Sequence, residues 1–385
     1  MNKLKTLSDL HVEGARVLVR LDLNSDIHQG TLVPSERLTA PLETIRELQK
    51  KKAAVIILAH QGRPGSSDYT SLRPHANFLK TKLSNFQCIP DVVGMRALQA
   101  IVNLKPGHVL LLDNVRSVPD ELNYKKGKPN ILIDRLAPLM DYYVNDAFSA
   151  SHREHASIVG FPRRVQGAIG RVFERELNAA KKLNINNALF VLGGSKPEDN
   201  LELVKARKNK VLASGLFGPF CLMAQGTKLG KQNVLMKSSL KTYGTLVRKH
   251  KAHMQVPSDL AVESKGKRRD CPLNEFPQNK EILDLGIHTI EDYAHQIMHA
   301  KAVFFKGLAG LCGKPEFSVG TEALLRAMTY AKGFTVVSGG HTLTMIEKLK
   351  IPKSKFGYVS LSGGALIHYL AHGTLPGIEA LESKQ

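Results

Sequence analysis

Tryptophan is absent from this 385-residue chain, and aromatic residues make up only 6% of it. Proteins that bind single-stranded nucleic acid commonly stack bases on aromatic side chains, so this shortage argues against such a function. The cysteines, Cys88, Cys221, Cys271 and Cys312, lie far apart without a C-x-x-C pair, which disfavours a zinc module or a disulfide framework. No apolar run reaches the ~18 residues of a membrane span, and the first residues lack the apolar core of a signal peptide. These absences predict a cytoplasmic protein without a membrane segment.

Acidic residues are also scarce: 34 aspartates and glutamates oppose 54 lysines and arginines, which gives a formal net charge of +20. Such an excess implies anionic partners, either nucleic acid or a small anionic substrate. Basic clusters lie at 50–52, 125–128, 205–210 and 264–269. Because no aromatic residues are interleaved with them, we interpret the clusters as solvated surface charge, and a nucleic-acid partner becomes the less favoured alternative. Steering of an anionic substrate is a third use for the charge.

Apolar segments rich in β-formers alternate with segments of helical periodicity through the first half of the chain. Strands are predicted at 16–22, 53–59 and 108–113, with another ending at Asn145, and helices at about 38–52 and 72–83. Short apolar strands that alternate with helices are typical of a parallel sheet covered on both faces. The first half is therefore predicted to be an α/β domain.

Polar and basic residues stand at the end of each predicted strand. They are Arg20, Asp22 and Asn24 for the first, His60 and Arg63 for the second, Asn114 and Arg116 for the third, and His152, Arg153 and His155 for the fourth, with Arg37 between the first two strands. Because the carboxyl ends of parallel strands meet at one edge of a sheet, we expect these side chains to surround a small ligand with several negative charges. Ordinary surface charge is the alternative, and the repetition at successive strand ends makes it less plausible.

Glycines, rather than charged residues, follow the strands predicted for the second half, which a charged amphipathic helix at about 171–183 connects to the first. These turns contain Gly193, Gly194 and Lys196; Gly215; Gly307; and Gly339, Gly340, His341 and Thr342. The first turn lacks the spacing of a Walker A loop, but glycines let backbone N–H groups approach phosphate, and a lysine and a helix N-terminus add positive potential. The second half is therefore a candidate nucleotide domain, although a plain turn also explains each Gly-Gly pair.

Several longer motifs occur in a fixed order along the chain. They are R-x-D-x-N at 20–24, H-x-G-R-P at 60–64, D-N-V-R at 113–116, N-D-A-F-x-x-x-H-R-x-H at 145–155, G-G-x-K-x-x-D at 193–199, F-x-x-G-T at 317–321 and L-P-G-x-x-A-L at 375–381. Together they resemble the phosphoglycerate kinase family, particularly its archaeal branch, over nearly the full length. No single motif is specific, whereas their number and order are.

The resemblance implies two doubly wound parallel-sheet domains joined by a hinge helix. Residues 1–170 would bind 3-phosphoglycerate or 1,3-bisphosphoglycerate, residues 171–365 would bind ATP or ADP with Mg²⁺, and a tail at 366–385 would return to pack on the N-terminal domain. The implied activity is the reversible phosphoryl transfer from 1,3-bisphosphoglycerate to ADP in glycolysis and gluconeogenesis. The family resemblance leaves a monomer and a homodimer open.

The resemblance also implies roles for single residues. Asp22 and Asn24 would contact the glycerate hydroxyl and carboxylate, whereas the phosphate that does not react would be held by His60, Arg63, Arg116 and Arg153. Two residues would be catalytic, since Arg37 would reach the transferring phosphoryl group and Lys196 would meet it from the nucleotide side. The remaining nucleotide contacts would be Gly193, Gly194, Gly215, Gly307, Gly313, Gly339, Gly340, His341 and Thr342.

The nucleotide side departs from the family pattern more than the substrate side does. His341 stands where many members have an aspartate, Gly313 replaces a glutamate, and Asn200 replaces a second lysine. The usual N-G-P becomes Lys306-Gly-Leu308. These changes keep two alternatives open beside the kinase, a homologue that is inactive or has a shifted nucleotide preference, and a basic nucleic-acid-binding protein.

Overall fold

The structure is a computed structural model that describes residues 4–28 and 30–383. The chain folds into two compact units: unit 1 takes the described residues up to Leu177 and those from Thr374 onward, and unit 2 runs from Asn178 to Gly373. Among the described residues, no helix combines the length and the apolar character needed to cross a membrane. Each unit is an α/β domain built on a parallel sheet, which confirms the predicted fold class.

The central sheet of unit 1 has the strand order β5-β6-β4-β1-β7-β8, and every neighbouring pair in it is parallel. Its strands β4 and β6 are uninterrupted runs of buried Ala, Val, Ile and Leu, as expected where helices cover both faces of a sheet. The strands of unit 1 are β1 (Arg16–Leu21), β2 (Ile27–His28), β3 (Thr31–Leu32), β4 (Ala54–Leu58), β5 (Phe86–Ile89), β6 (Val109–Leu112), β7 (Tyr142–Asp146) and β8 (Gln166–Ile169).

The helices that lead up to the boundary between the units are α1 (Glu36–Thr39), α2 (Leu42–Lys50), α3 (Arg73–Lys80), α4 (Met95–Val102), α5 (Ile131–Leu136) and α6 (Arg171–Lys182). The single helix predicted at 38–52 is in fact two, because Pro41 precedes α2 and has no N–H to continue α1. The boundary after Leu177 falls inside α6, the predicted connector. Arg171 anchors the start of α6 to unit 1 through two hydrogen bonds to Glu47, of 2.7 and 2.9 Å.

The main sheet of unit 2 is also parallel, in the order β11-β10-β9-β15-β16-β17. A separate antiparallel sheet, β13-β12-β14, was not predicted, since the exposed K-R-R-D alternation of β13 looks like surface loop. The strands of unit 2 are β9 (Leu189–Leu192), β10 (Val211–Ala213), β11 (Met254–Gln255), β12 (Asp259–Ser264), β13 (Lys267–Pro272), β14 (Ile282–Leu285), β15 (Ala302–Lys306), β16 (Phe334–Ser338) and β17 (Tyr358–Ser360).

The helices of unit 2 are α7 (Leu201–Ala206), α8 (Phe217–Ala224), α9 (Lys231–Leu235), α10 (Lys237–Lys249), α11 (Ile287–His299), α12 (Val319–Thr329), α13 (Gly340–Lys348) and α14 (Gly364–His372). The last helix, α15 (Pro376–Glu382), belongs to unit 1. Gly377 of α15 donates its N–H to the Ser151 carbonyl at 3.0 Å, and a Cβ on this glycine would come within 2.9 Å of the Ser151 side chain. The glycine of the L-P-G motif therefore allows the tail to pack closely on unit 1.

Candidate active site

The polar strand ends of unit 1 meet at one edge of its sheet. The strands that carry them, β6, β4, β1 and β7, are neighbours in the sheet and run parallel. Their carboxyl ends therefore place the predicted substrate residues in one region, which we call the basic site. It contains Asp22, Asn24, Arg37, His60, Arg63, Arg116 and Arg153.

Asp22 is the carboxylate of the basic site, and its neighbours hold it ionised. It pairs with the Arg37 guanidinium, accepts a hydrogen bond from the Ser149 hydroxyl, and accepts the Asn24 backbone N–H at 3.1 Å. Burial alone would raise the pKa of Asp22, but the charge of Arg37 and these hydrogen bonds lower it to about 2. Asp22 can therefore only accept hydrogen bonds from a ligand, as a contact to a hydroxyl requires.

His60 is nearly buried, and Arg20 fixes the state of its imidazole ring. Arg20 lies at the end of β1 without solvent exposure, and its Nη2 is 2.9 Å from His60 Nδ1. Burial and the nearby Arg20 charge hold the pKa of His60 well below 6.5. The guanidinium can only donate, so Nδ1 accepts and the proton of the neutral ring lies on Nε2. His60 thus offers the site a neutral donor.

Four guanidinium groups crowd this region, and we call Arg20, Arg63, Arg116 and Arg153 the cationic cluster. Burial and the like charge of Arg153 and Arg20 lower the pKa of Arg116 to about 10. Burial and the charge of Arg63 also lower the pKa of Arg153. Because these like charges repel one another, the binding of an anion among them would be favoured.

Arg116 is the member of the cationic cluster whose surroundings most favour a bound anion. Its side chain is only 6% exposed, and its Nη1 donates to the Gly62 carbonyl. Its Nε is buried without a hydrogen-bond partner among the residues that the structure describes. An unpaired buried donor on a charged group is costly, and a phosphate or carboxylate oxygen would satisfy it.

Glu121 is a buried acidic residue of this region that sequence reasoning missed. It accepts the Ser157 N–H at 2.8 Å and the Ser157 hydroxyl at 2.7 Å, while Ser157 Oγ accepts from Arg20 Nε at 2.8 Å. Its Oε1 also lies 3.7 Å from His155 Nδ1, and burial together with Arg20 lowers the pKa of His155 to about 3. Glu121 is therefore linked to Arg20 through the Ser157 hydroxyl, and burial raises the pKa of its carboxyl above the usual value although Arg20 opposes the shift. Nothing in the polar segment around Glu121 distinguishes it from surface loop.

The glycine edge of unit 2 is built differently. We use this name for Gly193, Gly194, Gly215, Gly307, Gly339 and Gly340. The N–H groups of Gly193 and Gly194 donate to the carbonyls of Lys306 and Leu308, both at 2.8 Å, so they are not free to cradle a phosphate. A Cβ on Gly215 would lie 2.4 Å from the Leu308 carbonyl oxygen, and its φ is +53°. Gly193, Gly215 and Gly307 are needed for close backbone approach, because a Cβ on each would come within 2.6 Å of a neighbouring atom.

Other predicted nucleotide residues do face free space. A Cβ on Gly313 or Gly340 would meet nothing within 4 Å. Gly340 begins α13, whose N-terminus carries the positive end of the helix dipole. Thr342, in the first turn of α13, has a buried Oγ1 without a hydrogen-bond partner among the described residues. This end of the helix offers both positive potential and an unused polar atom to an anion.

Lys306 at the end of β15 is a second residue that sequence reasoning left unassigned. Its Nζ donates to Asn200 Oδ1 at 3.2 Å and lies 3.7 Å from Asp199 Oδ2. Burial lowers the pKa of Lys306, whereas Asp199 opposes the shift. Lys306 stands where the family pattern has asparagine and Asn200 where it has lysine, so the two residues are exchanged across one contact. Lys196 is exposed in the same turn as Asp199.

One of the basic clusters is partly paired with acidic side chains. In the cluster at 264–269, Arg268 pairs with Asp270 and Asp284, both at 2.8 Å, and Arg269 pairs with Glu275 at 2.5 Å. Paired arginines are poorly available to nucleic-acid phosphates. The nucleic-acid alternative therefore gains no support from this hairpin.

Comparison with known proteins identifies the family of this chain. The model of the family "Phosphoglycerate kinase" matches residues 7–372. The chain belongs to the phosphoglycerate kinase family. The phosphoglycerate kinase of Methanothermobacter thermautotrophicus is 37% identical over 100% of this chain and 98% of its own length. That of Methanopyrus kandleri is 36% identical over 98% of this chain and 97% of its own.

Solved phosphoglycerate kinases share the fold. The crystal structure from Pyrococcus horikoshii has a TM-score of 0.89 and 32% identity, and covers 98% of each chain. The structure from Coxiella burnetii has a TM-score of 0.83 and 28% identity, and covers 99% of this chain and 100% of that one. The family assignment thus rests on sequence and fold together.

A magnesium site made by the protein alone does not fit the glycine edge. Mg²⁺ prefers oxygen ligands, above all carboxylates and phosphates. His341 offers nitrogen in place of the aspartate of the family pattern, and Asp199 lies beside Lys306 Nζ. Among the described residues, the one group of three metal-ligand side chains is Glu202, His368 and His372, which is rich in nitrogen. The oxygen ligands of a magnesium ion would have to come mainly from a bound ligand.

Proposed function

We propose that this protein is a phosphoglycerate kinase that transfers a phosphoryl group reversibly between 1,3-bisphosphoglycerate and ADP, giving 3-phosphoglycerate and ATP. The observation that carries the proposal is the cationic cluster with the unpaired, buried Arg116 Nε. It lies at the strand ends where the family motifs place substrate residues. 3-Phosphoglycerate carries a phosphate and a carboxylate, whose negative charges would neutralise the excess positive charge of the cationic cluster.

The substrate contacts follow from the protonation states. Asp22, ionised because its pKa is about 2, accepts a hydrogen bond from the glycerate hydroxyl, and Asn24 contacts the carboxylate. Asn24 is oriented for this because its Oδ1 accepts the Gly62 N–H at 2.8 Å, which leaves the amide N–H groups to donate. Arg63, Arg116, Arg153 and neutral His60 hold the phosphate that does not react. The hydroxyl of the ligand thus meets a hydrogen-bond acceptor, and its carboxylate and phosphate meet donors.

Catalysis consists of positioning and charge stabilisation. In the direction of ATP formation, an oxygen of the ADP β-phosphate attacks the phosphorus of the acyl phosphate, and the carboxylate leaves with the bonding electron pair. Both attacking groups, phosphate oxygen and carboxylate, are already anions, so neither direction needs a general base. Arg37 stabilises the transferring phosphoryl group from the side of Asp22, and Lys196 does so from the nucleotide.

Unit 2 is the proposed nucleotide-binding unit, with the glycine edge shaping a flat surface for ATP or ADP. Lys306 supplies the charge that Asn200 lacks, and the start of α13 with Thr342 faces the phosphates. A Mg²⁺ ion bound with the nucleotide would neutralise phosphate charge there, held mainly by the oxygens of the nucleotide itself. The cysteines Cys88, Cys221, Cys271 and Cys312 are free, which suits work in a reducing compartment such as the cytoplasm.

The test is turnover by the purified chain. 3-Phosphoglycerate and Mg-ATP are supplied, and the acyl phosphate is reduced by a coupled dehydrogenase whose NADH consumption is followed. We expect turnover that depends on 3-phosphoglycerate and falls strongly in Arg116→Ala, while Arg164→Ala, which breaks an exposed pair with Asp134, stays at the level of the unaltered protein. Absence of turnover with ATP, GTP and ITP alike would refute the proposal.

A further inference from the structure

Two histidines and a glutamate of unit 2 form a partly exposed cluster that includes none of the residues of the basic site or the glycine edge. His368 and His372 are one turn apart on α14, and Glu202 lies on α7. His368 Nδ1 is 2.7 Å and His372 Nε2 is 3.0 Å from the same atom, Glu202 Oε1. The three ligand atoms all lie within 4.8 Å of one another.

We propose that Glu202, His368 and His372 form a binding site for a divalent transition-metal ion of the zinc class. Two imidazole nitrogens and a carboxylate oxygen are a ligand set that zinc accepts, with water in the fourth position. Tetrahedral zinc with bonds of about 2.0–2.1 Å separates its ligand atoms by about 3.3 Å. The observed histidine–glutamate spacings of 2.7 and 3.0 Å need to open slightly, and the two imidazole nitrogens already lie within 4.8 Å of each other, so side-chain rotation can bring all three atoms to this separation.

The helices that carry these side chains are held in place before any ion arrives. Arg207, just beyond α7, donates from Nε to the Leu370 carbonyl of α14 at 2.7 Å. Leu203 of α7 and Leu370 of α14 are buried, so packing fixes both backbones. Because the helices are fixed, ion binding has to order side chains alone, which favours affinity.

The site is also accessible and selective. The side chains of His368, His372 and Glu202 are 29%, 47% and 39% exposed, so an ion can enter from solvent without unfolding. Imidazole suits zinc, cobalt, nickel and copper, whereas Mg²⁺ demands oxygen. This site therefore differs in chemistry from the magnesium that accompanies the nucleotide, and the inference does not depend on the proposed function.

The chain contains a matched control pair. His295 and His299 on α11 are also four residues apart, with ring centroids 4.3 Å from each other. Their geometry lacks the third ligand, because Glu202, His368 and His372 form the one such group found among the described residues. In addition, His299 Nδ1 is engaged with the His295 carbonyl at 2.8 Å.

The experiment measures Zn²⁺ binding by competition with a chromophoric chelator, on the full chain without a histidine tag. We expect one tight zinc ion per chain, unaffected by excess Mg²⁺. The affinity should fall by about 100-fold in His368→Ala and in His372→Ala, and by at least about tenfold in Glu202→Gln. The double variant His295→Ala/His299→Ala should bind like the unaltered protein.

A second measurement separates ligand loss from misfolding. Zinc should raise the Tm of the unaltered protein and of the control variant, because it binds only the folded chain, and should not raise that of His368→Ala. Co²⁺ bound in the same place should give the intense visible absorption of a four- or five-coordinate ion. The proposal is overturned if His368→Ala, folded by circular dichroism, binds zinc as tightly as the unaltered chain. It is equally overturned if the control pair proves to carry the binding.

Discussion

The basic site of unit 1 and the glycine edge of unit 2 occupy the same place in similar parallel sheets, yet they are built on opposite principles. The basic site works through charged side chains that are buried, such as Arg20 and Arg116, or largely buried, such as Asp22. The glycine edge works through bare backbone, where Gly193, Gly215 and Gly307 leave no room for a Cβ. Unit 1 is therefore sensitive to the loss of charge and to pH, whereas unit 2 is sensitive to the gain of volume.

The largest effect we expect concerns pH and Asp146, a fully buried carboxyl at the end of β7 that accepts the Phe173 N–H at 3.0 Å. Burial raises its pKa from 3.8 to about 7. Below pH 3.8 the carboxyl is protonated in both the folded and the unfolded chain, so the buried carboxyl does not lower the free energy of unfolding there. As pH rises through this window the unfolded chain releases the proton first, so stability falls by up to about 4 kcal/mol and then levels off.

Asp146→Asn should remove this dependence, because the amide cannot ionise and its Oδ1 can still accept the Phe173 N–H. Denaturant unfolding at several values between about pH 4 and pH 8 measures it. As pH rises, the free energy of unfolding should fall in the unaltered protein but not for this reason in Asp146→Asn, so the difference between the two should grow. Asp134→Asn, at an exposed carboxyl, is the control. Parallel curves for Asp146→Asn and the unaltered chain would contradict the burial argument.

Arg37→Ala should produce the next largest effect. It removes the cation proposed to stabilise the transferring phosphoryl group, so kcat should fall by about 10²–10³. The Michaelis constant for ATP should stay within about twofold, because the residue acts in the transition state. Steady-state kinetics with both substrates varied measures this, and a change confined to KM would assign Arg37 to ground-state binding instead.

A pair of glycine variants tests the other side of the comparison. Gly215→Ala should lose about 3 kcal/mol of stability, since its Cβ would meet the Leu308 carbonyl at 2.4 Å and its φ is +53°. Gly340→Ala, where a Cβ meets nothing within 4 Å, should leave stability nearly unchanged while weakening ATP binding. Thermal unfolding and nucleotide titration distinguish the two. Equal loss of stability in both variants would mean that close packing does not explain the glycine edge.

Arg153→Ala should raise KM for 3-phosphoglycerate by about 10- to 100-fold. Its removal should also leave Tm unchanged or slightly higher, because Arg116 loses a repelling neighbour. Kinetics and thermal unfolding of the same preparation measure both effects, with Arg164→Ala as the surface control. An unchanged KM would exclude Arg153 from the substrate contacts.

The smallest expected effect concerns the net charge of +20. If this charge steers the anionic substrate, kcat/KM should fall severalfold as ionic strength rises from about 0.05 to 0.5 M, because salt screens exposed charges. The maximal rate should change less, since bound substrate no longer needs steering. A kcat/KM that is flat with salt would leave the surface charge without a kinetic role.

Much of the fold could be predicted from local pattern, because buried parallel strands are apolar runs that polar residues terminate. Local pattern could not predict that β6, β4, β1 and β7 are neighbours, because strand order depends on contacts between residues far apart in the chain. The same limit hid the state of His60, which depends on Arg20 in a different strand. It also made the N–H groups of Gly193 and Gly194 look free, whereas carbonyls of the β15 end and its turn accept both.

The contact between Lys306 and Asn200 has a consequence for how this chain is compared with its relatives. Counted position by position, the chain has lost a lysine at 200 and an asparagine at 306, which reads as two defects in the nucleotide site. In three dimensions the ammonium group of Lys306 and the amide of Asn200 meet at 3.2 Å, so this contact holds one lysine and one asparagine, at positions exchanged relative to the family pattern. The reciprocal double variant Asn200→Lys/Lys306→Asn would restore the common arrangement, and either half alone would leave two like groups facing each other.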